Sequence, residues 1–198
     1  TPLDPTLDET DTNATSTYGD AKVLNSNYRQ VGNSSGWITT ASGENRVSFD
    51  WSSKTDLPYA SSTYCLRFQA YDGVATQTVA TTKTVDIDNY APRINTVTFT
   101  PTSGTLKIGD KATATIATIG NETGLSAGAT MTINGKSVSS TLTELGGGQY
   151  RVVYTVAEGD TKILDSSDLP VSLQIRDAYG NNSLSYTTAD AGNRPGVD

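Results

Sequence analysis

Histidine is absent from the 198 residues, and cysteine occurs once. Without an imidazole the chain cannot build a Ser-His-Asp triad, a Cys-His pair or a His-ligated zinc or iron centre. With Cys65 alone it can close no internal disulfide. Cys65 reads as a small strand residue or as one half of an intermolecular bridge. Small secreted eukaryotic domains lean on disulfides, so a chain without them is expected to fold on packing alone, as bacterial extracellular proteins do. Long apolar runs are missing too, and nothing approaches the roughly 18 residues that a membrane-spanning helix needs. Basic residues are scarce: 14 Lys and Arg against 21 Asp and Glu leave a net charge of −7. That field repels polyphosphate, which argues against nucleic acid as a partner.

What remains is a chain of short alternating segments, rich in Thr and Ser and broken by Gly, Asn and Pro at close intervals. Such a pattern favours strands over helices, and the expected fold class is all-β. Val47, Phe49 and Trp51 alternate with Ser48 and Asp50, and Leu66, Phe68 and Ala70 with Arg67 and Gln69, so each set defines one face of a strand. Weaker strands are expected at 21–24, 28–31 and 37–39. Asp72-Gly73 suits the centre of a type I′ hairpin turn, as does Asn134-Gly135. Val85 and Ile87 face inward, with Asp86 and Asp88 outward. Further on, five sets read as core faces: Val97 with Phe99; Ala112, Ala114 and Ile116; Met131 and Ile133; Tyr150, Val152, Tyr154 and Val156; and Val171, Leu173 and Ile175. A final strand is expected near 183–187.

The stretch Val85-Asp86-Ile87-Asp88-Asn89-Tyr90-Ala91-Pro92 reads as a seam between two domains. Residues 1–17, with Asp4, Asp8, Glu9 and Asp11 among Thr and Pro, form an acidic linker or a frayed first strand. The first domain is expected over 18–89, the second over 90–190, and 191–198 as a linker to a following domain. Asp56-Leu57-Pro58 before one strand and Asp168-Leu169-Pro170 before another mark an internal repeat of about 100–110 residues, the size of an immunoglobulin-like unit.

The order Leu57-Pro58, Thr63-Tyr64 and then an alternating strand resembles the corner before strand F of fibronectin type III domains, where a tyrosine ties the strand back. Tyr64 is the matching residue. Gly109-Asp110, the Tyr150–Asp160 stretch and Asp177-Ala178 with Gly180-Asn181 are similar to bacterial Ig-like repeats of large cell-surface proteins. The resemblance implies two tandem Ig-like or fibronectin III-like β-sandwiches. It implies architecture and no chemistry.

Three candidate sites follow. Asp86-x-Asp88-Asn89-x-x-Pro92 is similar to the linker of cadherin repeats, which implies calcium held by Asp86, Asp88 and Asn89, completed by oxygens of the next domain. Read from alternation alone, the same residues end a strand in water and stiffen a plain linker. Asp190 and Asn193 would be the equivalent half-site for a further domain. Trp37, Tyr28, Tyr59 and Tyr71 are the aromatics least clearly assigned to a core, and they could stack on sugars or cap sheet ends. An isopeptide bond would need a Lys buried beside an acid, and none stands on an apolar face. A glycosidase would need paired carboxylates in a cleft, which a narrow sandwich lacks.

The expected function is therefore a non-catalytic, extracellular spacer segment of a large bacterial surface protein, not an enzyme. The alternative is a ligand-binding module, an adhesin tip or an accessory domain of a polysaccharide-degrading enzyme. Expected partners are neighbouring domains of the same chain, a surface glycan or protein, or lateral copies.

Overall fold

A computed structural model describes residues 3–11, 29–30, 48–72, 74–165, 167–189 and 195–198. Among the described residues the chain is all-β apart from short helical turns. It divides into two compact units, Thr1–Tyr90 and Ala91–Asp198. No helix among the described residues is long and apolar enough to cross a membrane.

In the first unit, β1 (Thr6–Asp11) is the centre of a sheet, flanked antiparallel by β2 (Arg29–Gln30) and β3 (Ser48–Trp51). Of the segment expected as an acidic linker or a frayed first strand, Thr6–Asp11 is a strand, and Leu7 on it is buried. A one-turn helix, α1 (Ser53–Asp56), leads to a two-stranded ladder of β4 (Ser61–Phe68) and β5 (Thr81–Asp88). Tyr64 and Leu66 are half-buried on one face of β4, and Val85, opposite Tyr64, and Ile87, opposite Ser62, lie on the same face of the ladder, as alternation requires. Phe68 lies at the rim of that face, with its ring centroid 6.1 Å from that of Phe49 on β3. Of the weaker strands expected, Arg29–Gln30 falls within the second; 21–24 and 37–39 lie outside the described residues, as does Val47.

The turn at Asp72 differs from the expectation. Asp72 occupies the first corner: its N–H donates to Ala75 O, and its carboxylate accepts the N–H groups of Val74 and Ala75, each at 2.8 Å. An aspartate at the first corner closes a turn through its side chain, and that preference wins over the central position of a type I′ pair.

The second unit contains β6 (Ile94–Thr100), β7 (Thr105–Leu106), β8 (Lys111–Thr118), β9 (Ser126–Ile133), β10 (Lys136–Ser137), β11 (Thr143–Gly146), β12 (Gln149–Thr155), β13 (Val171–Arg176) and β14 (Gly196–Val197). One sheet has the order β11-β12-β8-β6 and the other β10-β9-β13. Their inward residues form one hydrophobic cluster: Val97 and Phe99 of β6, Ala112, Ala114 and Ile116 of β8, Met131 and Ile133 of β9, Tyr150, Val152 and Tyr154 of β12, and Val171, Leu173 and Ile175 of β13. All five faces read from the sequence are in it. Burial of such side chains, each contributing about 1.5–3 kcal/mol, drives the two sheets together.

Asn134 and Gly135, at φ 48° and 74°, make the expected type I′ turn between β9 and β10. The final strand is interrupted. It meets β13 at the bridges Leu173–Tyr186 and Arg176–Asn182, and between them the Ser183 N–H donates to Ile175 O at 2.8 Å while the Ser183 hydroxyl, not its carbonyl, accepts the Ile175 N–H. Gly196 and Val197, expected in a linker, are buried as β14. The linker reading followed from the local Gly-Pro composition, whereas Val197 is held by partners far away in sequence, Leu106 and Ile163.

Gly146, Gly147 and Gly148 all take positive φ at the β11–β12 turn. At Gly147 a Cβ would meet open space, whereas at Gly148 it would fall 2.3 Å from the Asn121 Cα. Gly147→Ala is therefore expected to cost only the left-handed penalty of about 1–2 kcal/mol. Gly148→Ala adds a backbone clash and should cost clearly more; urea unfolding of the two variants measures the difference, and equal losses would show that the loop simply yields.

Candidate functional site

Asp86 and Asp88 project from the same face of β5, two residues apart, and Asp86 is exposed. Across the ladder, Thr63 stands opposite Asp86, and its hydroxyl donates to Asp86 Oδ1 at 2.5 Å. Asp88 Oδ1 accepts the N–H of Tyr90 at 3.0 Å, the local closure expected of an aspartate at a strand end. Asn89 turns back into its own unit: its N–H donates to Ala60 O at 2.7 Å, and its side-chain amide donates to Leu57 O at 2.9 Å. Thus the three residues of the calcium pattern are brought together in sequence and on one strand end. Asn89 also ties that strand end to the Leu57–Ala60 corner. Among the described residues, no three or more Asp, Glu, His or Cys side chains are gathered as a metal cluster. Asp190 and Asn193 lie outside the described residues.

The aromatic candidates divide likewise. Trp37 and Tyr28 lie outside the described residues. Tyr59 is 80% exposed and Tyr71 49%. They flank opposite ends of β4 (Ser61–Phe68), a strand of about 23 Å at roughly 3.3 Å per residue, so the two rings do not form one stacking face. Cys65, on the same strand, is exposed.

The structure also assembles polar centres that the sequence does not announce. In the first unit, Asp56 leaves α1 to accept the N–H of Thr6 at 2.6 Å, the Thr6 hydroxyl at 2.5 Å and the Trp51 indole N–H at 2.7 Å. Partial burial pushes this carboxyl upward, but the three donors outweigh it and hold it below the usual aspartate range. One side chain thereby joins β1, β3 and α1.

In the second unit, Tyr154 lies in the core, and its hydroxyl donates to Asp160 Oδ2 at 2.7 Å while accepting the Asn134 side-chain amide at 3.1 Å. The same amide donates to Thr161 O, and the Asn134 N–H donates to Pro170 O at 2.7 Å. Asp160 Oδ2 also accepts the Ala157 N–H. Its other oxygen has the Lys136 ammonium 3.0 Å away, off the hydrogen-bonding direction, so charge alone compensates it. Lys136 is half-exposed, and water screens much of that attraction. The arrangement is an ion pair, with no lysine buried as an isopeptide bond would require.

Donation from Tyr154 is the main cause that lowers Asp160 to about 2, with the Ala157 N–H and Lys136 adding to it. Burial, reinforced by the bond to Asp160, pushes the Tyr154 phenol up to about 12. At neutral pH the pair is therefore carboxylate and phenol, a fixed hydrogen bond with no proton to exchange. A tyrosine placed among core residues had to find a partner for its hydroxyl; that much was readable, but the partner was not. No family model, no curated protein and no solved structure matches the chain at a significant level.

A lowered carboxyl stabilises the folded state above its unfolded pKa and loses that contribution as the pH falls through the folded one. For Asp160 the window runs from 3.8 down to about 2. Asp160→Asn should accordingly lower stability at neutral pH and flatten the stability profile of the second unit below pH 3.8, as followed by urea titrations across pH. An unchanged acid slope would mean that the carboxyl titrates normally.

Proposed function

We propose that this chain is a non-catalytic structural segment, two tandem β-sandwiches of immunoglobulin-like or fibronectin type III-like architecture, serving as a spacer in the extracellular part of a large bacterial surface protein. The observation that carries the reading is the strand order of the second unit. If β6, β8, β9, β10, β11, β12 and β13 are lettered A, B, C, C′, D, E and F, the sheets β11-β12-β8-β6 and β10-β9-β13 become D-E-B-A and C′-C-F. The immunoglobulin arrangement is A-B-E-D against C-F-G, and the interrupted strand after β13 stands in the place of G. Two compact units in tandem, each of about 100 residues, suit a modular segment. A single cysteine and an acidic balance suit an oxidising exterior, where the chain folds by packing.

Calcium belongs to the proposal through Asp86, Asp88 and Asn89, as a cation that stiffens the strand end. The competing reading, a glycan-binding module, is favoured by the exposure of Tyr59.

Two measurements separate these readings. In gel filtration and small-angle scattering the spacer should be an elongated monomer that passes unretarded through immobilised polysaccharides. Retention that soluble sugar reverses and Tyr59→Ala abolishes would replace the spacer by the binding module. Thermal unfolding in millimolar calcium and again in EDTA tests the cation, because a ligand bound only by the folded state raises the midpoint. The expected shift is upward and absent in Asp86→Ala with Asp88→Ala; identical midpoints in the unaltered chain leave a plain linker.

A further inference from the structure

The chain contains four Asn-x-Ser/Thr triplets, at Asn13, Asn33, Asn121 and Asn181. A transferase that glycosylates asparagine needs the side-chain amide together with a hydroxyl two residues on, so a usable triplet has to stand on the surface. Asn13 and Asn33 lie outside the described residues. The other two are placed in opposite ways.

The triplet Asn181-Asn182-Ser183 is closed. Asn181 is buried, its side-chain amide donates to Asp177 Oδ2 and its N–H to Asp177 Oδ1, each at 2.8 Å. Ser183 is buried as well, and its hydroxyl is taken by the Ile175 N–H. A sugar on Asn181 would have to break a buried hydrogen bond to an aspartate.

The triplet Asn121-Glu122-Thr123 is open. It lies in the connection between β8 and β9, and the backbone there is fixed from below. The Tyr150 hydroxyl donates to Glu122 O at 3.2 Å, and Gly148 lies so close beneath the Asn121 backbone that a Cβ on it would collide. The Gly124 N–H donates to the Glu144 carboxylate at 3.1 Å, which ties the connection to β11. On this base Asn121 takes φ 57°, a left-handed conformation that asparagine adopts more readily than most residues. Glu122 returns to extended backbone at φ −65° and ψ 135°. Asn121 and Thr123 are both exposed. Beside them Ile119, next but one in the chain, is 43% exposed, and Leu145, next to the turn that carries Gly148, is 50% exposed. The triplet thus stands on a rigid base between two uncovered aliphatic side chains, which the carbon face of a sugar can cover.

We propose that Asn121 is a glycan attachment site. In the transfer, Asn121 Nδ2 forms a bond to the anomeric carbon of a sugar activated as a nucleotide diphosphate or a lipid-linked diphosphate. The bond from that carbon to the diphosphate oxygen breaks, the diphosphate leaves with the electron pair, and the amide gives one proton to a base of the transferase. The site goes beyond the spacer reading and rests on it only for the export of the chain.

The test is peptide mapping by mass spectrometry of the chain taken from the surface of the cells that make it. The expected result is a glycan on the Asn121 peptide and none on the Asn181 peptide. In parallel, the folded, unmodified chain is incubated with a soluble transferase specific for Asn-x-Ser/Thr and a nucleotide-activated hexose. Asn121 should gain one hexose, and both Asn121→Gln and Thr123→Ala should lose it; the second variant keeps the asparagine and its turn. Asn181 should react only as an isolated peptide. A bare Asn121 in the surface-derived chain overturns the proposal, and so does an Asn121 that the transferase leaves unmodified in the folded chain. Recovery of the chain only from the cell interior would sink the spacer reading, and the state of Asn121 would still be read from the same peptides.

Discussion

Two tyrosine hydroxyls buried in the core set the relation between the sheets of the second unit. Tyr150 and Tyr154 stand four residues apart on β12 and point inward together, each fully buried. A buried phenol without a partner is costly, and both find theirs around β9 of the other sheet. The Tyr150 hydroxyl accepts the Leu125 N–H, just before β9, and donates to Glu122 O. The Tyr154 hydroxyl accepts from Asn134, just after β9. One strand is thus strapped to the opposite sheet at both ends. Apolar contact alone would let the sheets slide by small amounts at little cost; two directional bonds at the ends of one strand remove that freedom.

The same economy recurs in the first unit on a smaller scale. Asp56 gathers Thr6 of β1 and Trp51 of β3 onto the helical turn that precedes β4. Asn89 at the far end of β5 reaches back to Leu57 at the exit of that turn. The Asp-Leu-Pro corner is therefore anchored from both sides. In the second unit the corresponding corner is anchored differently: Leu169 is buried in the core, and Pro170 O accepts the Asn134 N–H. The repeat read in the sequence keeps the place of the corner, which in the second unit is held by a buried leucine and a backbone bond.

That contrast explains what could be read from the chain. Period-two alternation is a local property that burial enforces residue by residue, so the faces of β8, β12 and β13 were legible. Asn134-Gly135 was legible for an equally local reason, since two positive φ values in succession suit few residue pairs. Asp72-Gly73 misled because two local rules competed and the side-chain closure won. The ties of Asp56 to Thr6 and of Asn134 to Tyr154 and Thr161, and the strand at Gly196-Val197, depend on partners tens of residues away, and no local pattern marks them. The calcium pattern was legible as spacing, because Asp86 and Asp88 share a face by alternation. Nothing in that spacing revealed that Asn89 directs its amide donors into its own unit.

The acidic character of the chain also takes a different meaning from its geometry. Asp72 accepts the N–H of Val74 and Ala75, Asp88 that of Tyr90, Asp110 that of Lys107, Asp160 that of Ala157, Asp165 that of Gly104, and Asp177 those of Tyr179 and Asn181. All but Asp165, which joins segments 61 residues apart, close a turn or loop with a charged acceptor, the stronger kind of hydrogen bond. Aspartate does this with two short-range oxygens where glutamate must order a longer side chain. Part of the negative charge therefore arises from the number of turns that a chain of short strands must make. A carboxylate so engaged has one oxygen directed inward by the backbone it closes. At Asp177 and Asp160 the other oxygen is also held within the protein, by the Asn181 side-chain amide and the Lys136 ammonium. In this fold, the requirement for closed turns comes before any use of the surface.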